Sequence, residues 1–226
     1  MSNENKGADK QNEIRAKLIQ KLIPYVRKSG FQSLRMEEIA KMMDVSRATL
    51  YKYFPSKEEI IGCIVNFYVD HIKELIGDSL DADQKFGNRF QELFEQSVLV
   101  YEYITDVFLE ELESSYPESY DRLREALKLR EHQILTFLDE GMGEGVFNEI
   151  NGKLFILQDE LLQNMLDVKY LMVNNLTINQ VLFDFYKLKK LQLFKPEKLQ
   201  SVDDSRMMSK MEYMAQKITK NLYKNH

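Results

Sequence analysis

At 226 residues, 44% apolar and 30% charged, the chain is long enough to bury a sizeable core and too apolar to be disordered. Its single cysteine excludes an internal disulfide framework and fits a reducing cytoplasm, and no apolar run approaches the roughly 18–20 residues of a membrane-spanning helix. The net charge of −5 is split unevenly: residues 1–60 carry 12 Lys+Arg against 8 Asp+Glu, a net of +4, and the remainder carries 19 against 28, a net of −9.

A basic end on an acidic body is the distribution expected when one end of a chain meets a polyanion. The first residues, 1–10, read as a polar, flexible tail. Residues 11–29 place Ile14, Leu18 and Leu22 three to four apart, an amphipathic helix that Ser29-Gly30 should end and Pro24 should kink. A short helix follows over Met36 to Met43, with Ile39, Ala40 and Met43 on one face. Asp44 breaks it, and Ser46 offers the cap of a third helix over 47–53. Phe54-Pro55-Ser56 stops that helix, and Ser56 caps a fourth that should run to about Leu80.

Two short helices joined by a three-residue turn make a helix-turn-helix. The small residue needed where the helices cross is Ala40, and the left-handed position in the turn falls on Asp44. Ile39, Met43, Val45, Leu50 and Tyr53 supply the interior. On the third helix, Leu50 and Phe54 share the inward face, which turns Arg47, Ala48, Tyr51 and Lys52 outward. Arg and Lys there can read guanine edges or bind phosphate, and Tyr51 and Ala48 can meet a thymine methyl. Ser46, Thr49, Tyr53 and Lys57 flank that face with donors suited to phosphate, Lys57 from the first turn of the fourth helix.

The run GFQSLRMEEIAKMMDVSRATLYKYFPSKEEI, residues 30–60, resembles the DNA-binding domain of the tetracycline-repressor (TetR/AcrR) family of bacterial regulators. Ile39-Ala40, Val45-Ser46, Thr49-Leu50-Tyr51 and Tyr53 to Glu59 carry the resemblance, which extends over about residues 11–75. It implies an all-α homodimer binding a palindromic operator in double-stranded DNA, with contacts from Thr49, Tyr51, Lys52, Tyr53 and Lys57. It also implies a repressor whose C-terminal helices bind a small effector that releases the DNA. Two positions depart from the family pattern. Arg35 stands where Thr or Ser usually caps the second helix, leaving Glu38 with half a capping box, and Asp44 stands where Gly is common.

The expected organisation is therefore a tail over 1–10, a three-helix helix-turn-helix domain over 11–56, a connecting helix over 57–80 and a helical ligand-binding and dimerisation domain over 81–226. Asp81-Ala82-Asp83 reads as a linker. Residues 84–115 read as helix broken near Glu102–Thr105, and Pro117 starts another running to about Glu140. GMGEGVF, residues 141–147, lacks a preceding strand and the G-x-G-x-x-G spacing, so it reads as a helix-ending turn. The periodic stretches 152–172 and 178–194 read as two adjacent helices, with Thr177 capping the second. The resemblance makes these the dimer interface, through Leu157, Leu161, Val168, Val181, Phe185 and Leu188. A further amphipathic helix covers 205–223.

An effector pocket would draw on Phe90, Phe94, Tyr101, Phe108, Phe137 and Met165. Aromatic rings in an acidic domain favour a lipophilic effector, cationic more than anionic. Control of the C-terminal domain by a protein partner is the alternative. His71, His132 and His226 have no Cys, Asp or Glu at metal-ligand spacing on an apolar face. No nucleophile–base set or phosphate loop is present, so no metal, cofactor or catalysis is expected, and Cys63 reads as an inert part of the core.

Overall fold

The computed structural model describes residues 2–74 and 85–223, and among these it is all-α. The elements are α1 (Ser2–Ser29), α2 (Met36–Met42), α3 (Arg47–Tyr53), α4 (Lys57–Glu74), α5 (Lys85–Tyr103), α6 (Asp106–Ser115), α7 (Pro117–Gly143), α8 (Gly152–Leu157), α9 (Leu161–Met165), α10 (Val168–Val173), α11 (Ile178–Leu193) and α12 (Ser205–Tyr223). Single 3-10 segments cover Gln158–Glu160 and Pro196–Ser201. The expected end of the fourth helix and the linker at 81–83 lie outside the described residues.

Residues 2–10 are helical where a tail was expected. Once the apolar stripe from Ile14 has nucleated a helix, adding residues upstream costs little, and no Pro stops it there. At the other end Gly30 takes φ +70°, and its N–H reaches the Val26 carbonyl at 2.9 Å, the left-handed closure that Ser29-Gly30 signalled. The break in 84–115 falls where the sequence placed it: Thr105 caps α6 by accepting the Phe108 N–H. The expected single helix over 152–172 is corrected to three pieces. A 3-10 turn interrupts it after Leu157, and Asp167 starts α10 anew by accepting the Tyr170 N–H at 2.9 Å.

Two units divide the chain: Met1–His71 with Tyr103–Ala126, and Ile72–Glu102 with Leu127–His226. A boundary at residue 81 is therefore too simple, because α6 and the start of α7 cluster with the helix-turn-helix. Phe108 explains this. It is fully buried, with its ring centroid 5.6 Å from Phe31 and 5.6 Å from Tyr68 in edge-on contacts.

The second unit is built around an aromatic ladder. Phe86, Phe90 and Phe94, one turn apart on α5, meet Phe137, Phe147, Phe185, Tyr186 and Phe194. Phe147 is 1% exposed and sits at its centre, with centroids 5.1 Å from Phe137 and 4.9 Å from Phe194. It gets there because α7 ends at Gly143, Gly145 takes φ +71° and Val146 to Asn148 pair with the chain after α11. The Phe147 ring lies on Gly141, where a Cβ would collide with it. The glycine-rich stretch is thus a helix-ending turn that seats a ring. The helix over 205–223 packs its Met207, Met211, Met214 and Ile218 face into this same core.

Candidate nucleic-acid interface and interior cavity

The turn between α2 and α3 is held by local chemistry. Asp44 has φ +58°, as the turn demands, and its carboxylate lies 3.6 Å from Lys21. Ser46 caps α3 by accepting the Thr49 N–H at 3.1 Å, and the two hydroxyls share a hydrogen bond at 2.8 Å. At the start of α2 the Glu38 carboxylate accepts the Arg35 N–H at 2.8 Å. The reciprocal bond of a capping box needs an acceptor, and a guanidinium has none, so this helix start stays half-capped.

Leu50 and Phe54 are fully buried, and this fixes the rotation of α3. Ser46, Arg47, Ala48, Tyr51 and Lys52 are exposed on its outer side, while Thr49, Tyr53 and Lys57 are half-buried beside them. The outer side is a cationic and aromatic surface. The Arg47 guanidinium stands 5.5 Å from the Tyr51 ring centroid and the Lys52 ammonium 5.6 Å from that of Tyr53. Arg47 also pairs with Glu37 at 2.9 Å, an exposed contact weak enough to exchange for phosphate or a base edge.

Sequence reasoning missed what steadies this surface from behind. Glu111, on α6, accepts the backbone N–H groups of Phe31 and Gln32. Lys57 donates to the Gln32 carbonyl at 2.7 Å, so the backbone of one residue is held through both its N–H and its C=O. Burial lowers the Lys57 pKa, against the pull of Glu111 and Glu38. No local pattern could reveal a partner 79 residues away. Arg15 makes a second clamp, pairing with Glu59 at 3.0 Å, lying 3.0 Å from the Cys63 sulfur and covering the Phe54 ring at 4.9 Å. Cys63 is half-buried beside that guanidinium, less enclosed than its apolar neighbours suggested.

A family model, that of the bacterial regulatory proteins of the tetR family, matches residues 27–62, the span that holds all of this geometry. The matched segment is thus of the TetR type. Over 61 residues the chain is 31% identical to the HTH-type transcriptional repressor KstR of Mycolicibacterium smegmatis, covering 27% of this chain and 30% of that protein. Matches to curated relatives span 25% to 47% of those proteins' lengths. The ketosteroid transcriptional regulator KstR2 of Mycobacterium tuberculosis superposes on 80% of this chain and 95% of its own, with a TM-score of 0.58 and 19% identity. A TetR-family regulator from Marinobacter aquaeolei superposes on 90% of this chain and 98% of its own, with a TM-score of 0.56 and 16% identity. At such identities the likeness establishes the fold. The TetR-type arrangement thus extends past the matched segment as architecture, while the chemistry of the second unit has to be read from its own residues.

That unit contains a cavity of about 20 Å³, with room for about one water-sized group. Of the six residues expected to line a pocket, Phe90, Phe94 and Phe137 do so, joined by Leu93, Ile134 and Phe155. The other three lie elsewhere. Phe108 lies in the core of the first unit, and Met165 and Tyr101 pack half-buried against the second core outside this lining. The polar wall, which the sequence did not announce, is Ser97, Asp159 and Lys189. Asp159 pairs with Lys189 at 2.8 Å and accepts the Ser97 hydroxyl at 2.5 Å, while Arg130 donates to Ser97 at 2.6 Å. The Lys189 ammonium also lies 3.4 Å from the centroid of the Phe155 ring.

Among the expected interface residues, Leu157, Leu161 and Leu188 are at least half exposed, and Leu154 and Leu191 share that exposure. Val168 is half-buried. Val181 and Phe185 are corrected to core: they are 6% and 4% exposed beside the exposed Leu188 edge of α11, and Phe185 lies 6.1 Å from Phe94.

Proposed function

We propose that this protein is a transcriptional regulator of the repressor type. In this reading it binds a palindromic operator as a homodimer and is released when a small effector enters the C-terminal unit. The observation that carries the reading is the outer side of α3. Arg47, Ala48, Tyr51 and Lys52 stand exposed on a short helix whose rotation is fixed by buried Leu50 and Phe54. In a helix-turn-helix that side enters the major groove, where arginine and lysine contact guanine or phosphate and the ring and methyl groups meet thymine. Ser46, Thr49, Tyr53 and Lys57 border the groove and meet the backbone.

Reading a palindrome takes two copies of the helix. The leucines left exposed on α8, α9 and α11 supply a surface for the second copy, since an apolar stripe of this kind is costly in water. Control by a protein partner is the second reading, supported by the small size of the cavity and by Met172 and Val173, 74% and 76% exposed at the end of α10.

Selection of duplexes from a random-sequence pool, followed by sedimentation of the complex, tests the reading. A palindromic consensus occupied by two protomers is expected. Selection of no sequence, or binding of a lone protomer to an asymmetric site, would sink it.

A further inference from the structure

Beside the cavity of the second unit two buried cations face one buried carboxylate, while the unit's other buried carboxylate, Glu102, accepts from Asn221 on α12. Lys189 and Arg130 are 3% and 6% exposed, and the ion-paired carboxylate they share is Asp159, itself 5% exposed. Asp159 accepts from Ser97 through Oδ2 at 2.5 Å, and its Oδ1 lies 2.8 Å from the Lys189 ammonium as an ion pair without a hydrogen bond of its own. Arg130 reaches the carboxylate only through the Ser97 hydroxyl, and its Nε is buried without a hydrogen-bond partner. Within this group two cations against one anion leave a local excess of one positive charge, which a low-dielectric interior disfavours. Burial lowers the pKa of Lys189, with Asp159 pulling the other way and Arg130 adding to the fall.

The cavity opens on this group. Ser97, Asp159 and Lys189 form one wall, and Phe90, Phe94, Phe137 and Phe155 form most of the rest. A site with one polar end and an aromatic remainder suits a ligand with a small charged head and an apolar tail. The volume of about 20 Å³ limits the head to a group near the size of water, and a tail requires the rings to move apart. Asp159 stands on the 3-10 segment that interrupts the helical run between α8 and α9, and such interruptions often mark places where a helix adjusts.

We infer that this cavity takes the carboxylate of a small organic acid, paired with Lys189, with the acid's apolar tail among the phenylalanine rings. The inference rests on the proposed effector control and gives that effector the sign of its charge. A cationic ligand would be the third cation facing one carboxylate, and a neutral alcohol would leave the excess charge unbalanced. The charge of the cavity therefore runs opposite to the acidic surroundings, which favoured a cationic effector in the sequence.

Calorimetric titration of the full chain with hexanoate, hexanol and hexylamine tests this with one tail and three heads. Hexanoate is expected to bind at least about tenfold more tightly than the other two. Lys189→Met is expected to erase that preference, and Lys189→Arg, which keeps the charge, to retain it. Equal binding of the three, tighter binding of hexylamine, or no binding of hexanoate overturns the inference on the unmodified chain, whether or not the variants fold. Release of selected operator DNA is measured separately. Hexanoate that binds without releasing DNA leaves the site standing and removes the effector reading. DNA released by hexylamine in place of hexanoate does the reverse.

Discussion

The helix-turn-helix and the interior of the C-terminal unit are organised by contacts of different reach. In the first, the bonds that cap the helices join near neighbours, Ser46 with Thr49, Arg35 with Glu38 and Ser56 with Glu59, and the bracing by Glu111 and Arg15 comes from afar. In the second, Ser97 meets Asp159 across 62 residues and Arg130 meets Ser97 across 33. Short-range contacts specify a surface that a partner reads from outside. Long-range contacts specify an interior whose chemistry exists only once the fold is complete. The same chain therefore carries one site written in consecutive letters and another assembled from four separate helical segments.

Removing a ring from each region puts the separation to its largest test. Phe54 and Phe147 are both buried at 0% and 1% exposure, so either Phe→Ala change should cost about 3–5 kcal/mol in denaturant unfolding. Hydrogen exchange should show protection falling first around α1–α4 for Phe54→Ala and around α5, α7 and α11 for Phe147→Ala. Equal loss of protection in both units from either change would show that they do not open separately.

A smaller change probes the buried polar group. Ser97 both accepts from Arg130 and lies within reach of two acceptors, Asp159 Oδ2 at 2.5 Å and the Leu93 carbonyl at 3.1 Å. Its one proton goes to the carboxylate, because a charged acceptor makes the stronger bond. Ser97→Ala should then cost about 1.5–3 kcal/mol, far more than a hydroxyl of a surface serine, because it removes the hydroxyl that links Arg130 to Asp159 in a buried site. A cost near zero would mean that the hydroxyl is a bystander.

The same group predicts a pH dependence of definite sign. Because burial depresses the Lys189 pKa in the folded state, the unfolded chain binds more protons at this position between the folded value and the ordinary lysine value of 10.5. Stability must therefore rise with pH through that window and lose this contribution as pH falls through the folded value. Subtracting the profile of Lys189→Met from that of the unmodified chain isolates the contribution. A difference that is flat up to pH 10 or that falls with pH would refute the depressed value.

These effects also show why the two sites differed in legibility. Leu50 and Phe54 could be assigned inward, and Arg47, Tyr51 and Lys52 outward, because helical periodicity over eight residues decides it. The caps at Ser46, Ser56 and Thr177 were readable for the same reason. Lys189 was invisible. In sequence it is one of three lysines in Lys187-Leu188-Lys189-Lys190 and looks like part of a solvated face, yet it is the buried one while Leu188 is exposed. Val181 and Phe185 were misassigned on the same helix, since an apolar residue can serve an internal core or a second chain and periodicity does not distinguish them. Phe108 was placed in the wrong unit because nothing in its neighbours records Phe31, 77 residues upstream.

On the DNA side the expected effects concern preference before stability. Tyr51→Ala and Lys52→Ala remove exposed groups on the outer side of α3, so each should leave the unfolding midpoint nearly unchanged. Each should shift discrimination between operator variants by about 1–3 kcal/mol, measured by competition between labelled duplexes. Uniform weakening on all sequences would move these residues from reading bases to holding phosphate.

Lys57 gives the finest distinction, because it belongs to both kinds of contact. Its ammonium holds the Gln32 carbonyl at 2.7 Å while Glu111 takes the N–H of the same residue, and it retains two further donors at the N-terminal turn of α4. If those donors meet a phosphate, Lys57→Ala should reduce the slope of log affinity against log salt by roughly one and weaken every duplex alike. Loss of the grip on Gln32 should also lower stability by about 1 kcal/mol, the net worth of such a bond. The two effects separate in one pair of measurements. A lower unfolding midpoint with an unchanged salt slope would assign Lys57 wholly to the scaffold, leaving the outer side of α3 to bind DNA without it.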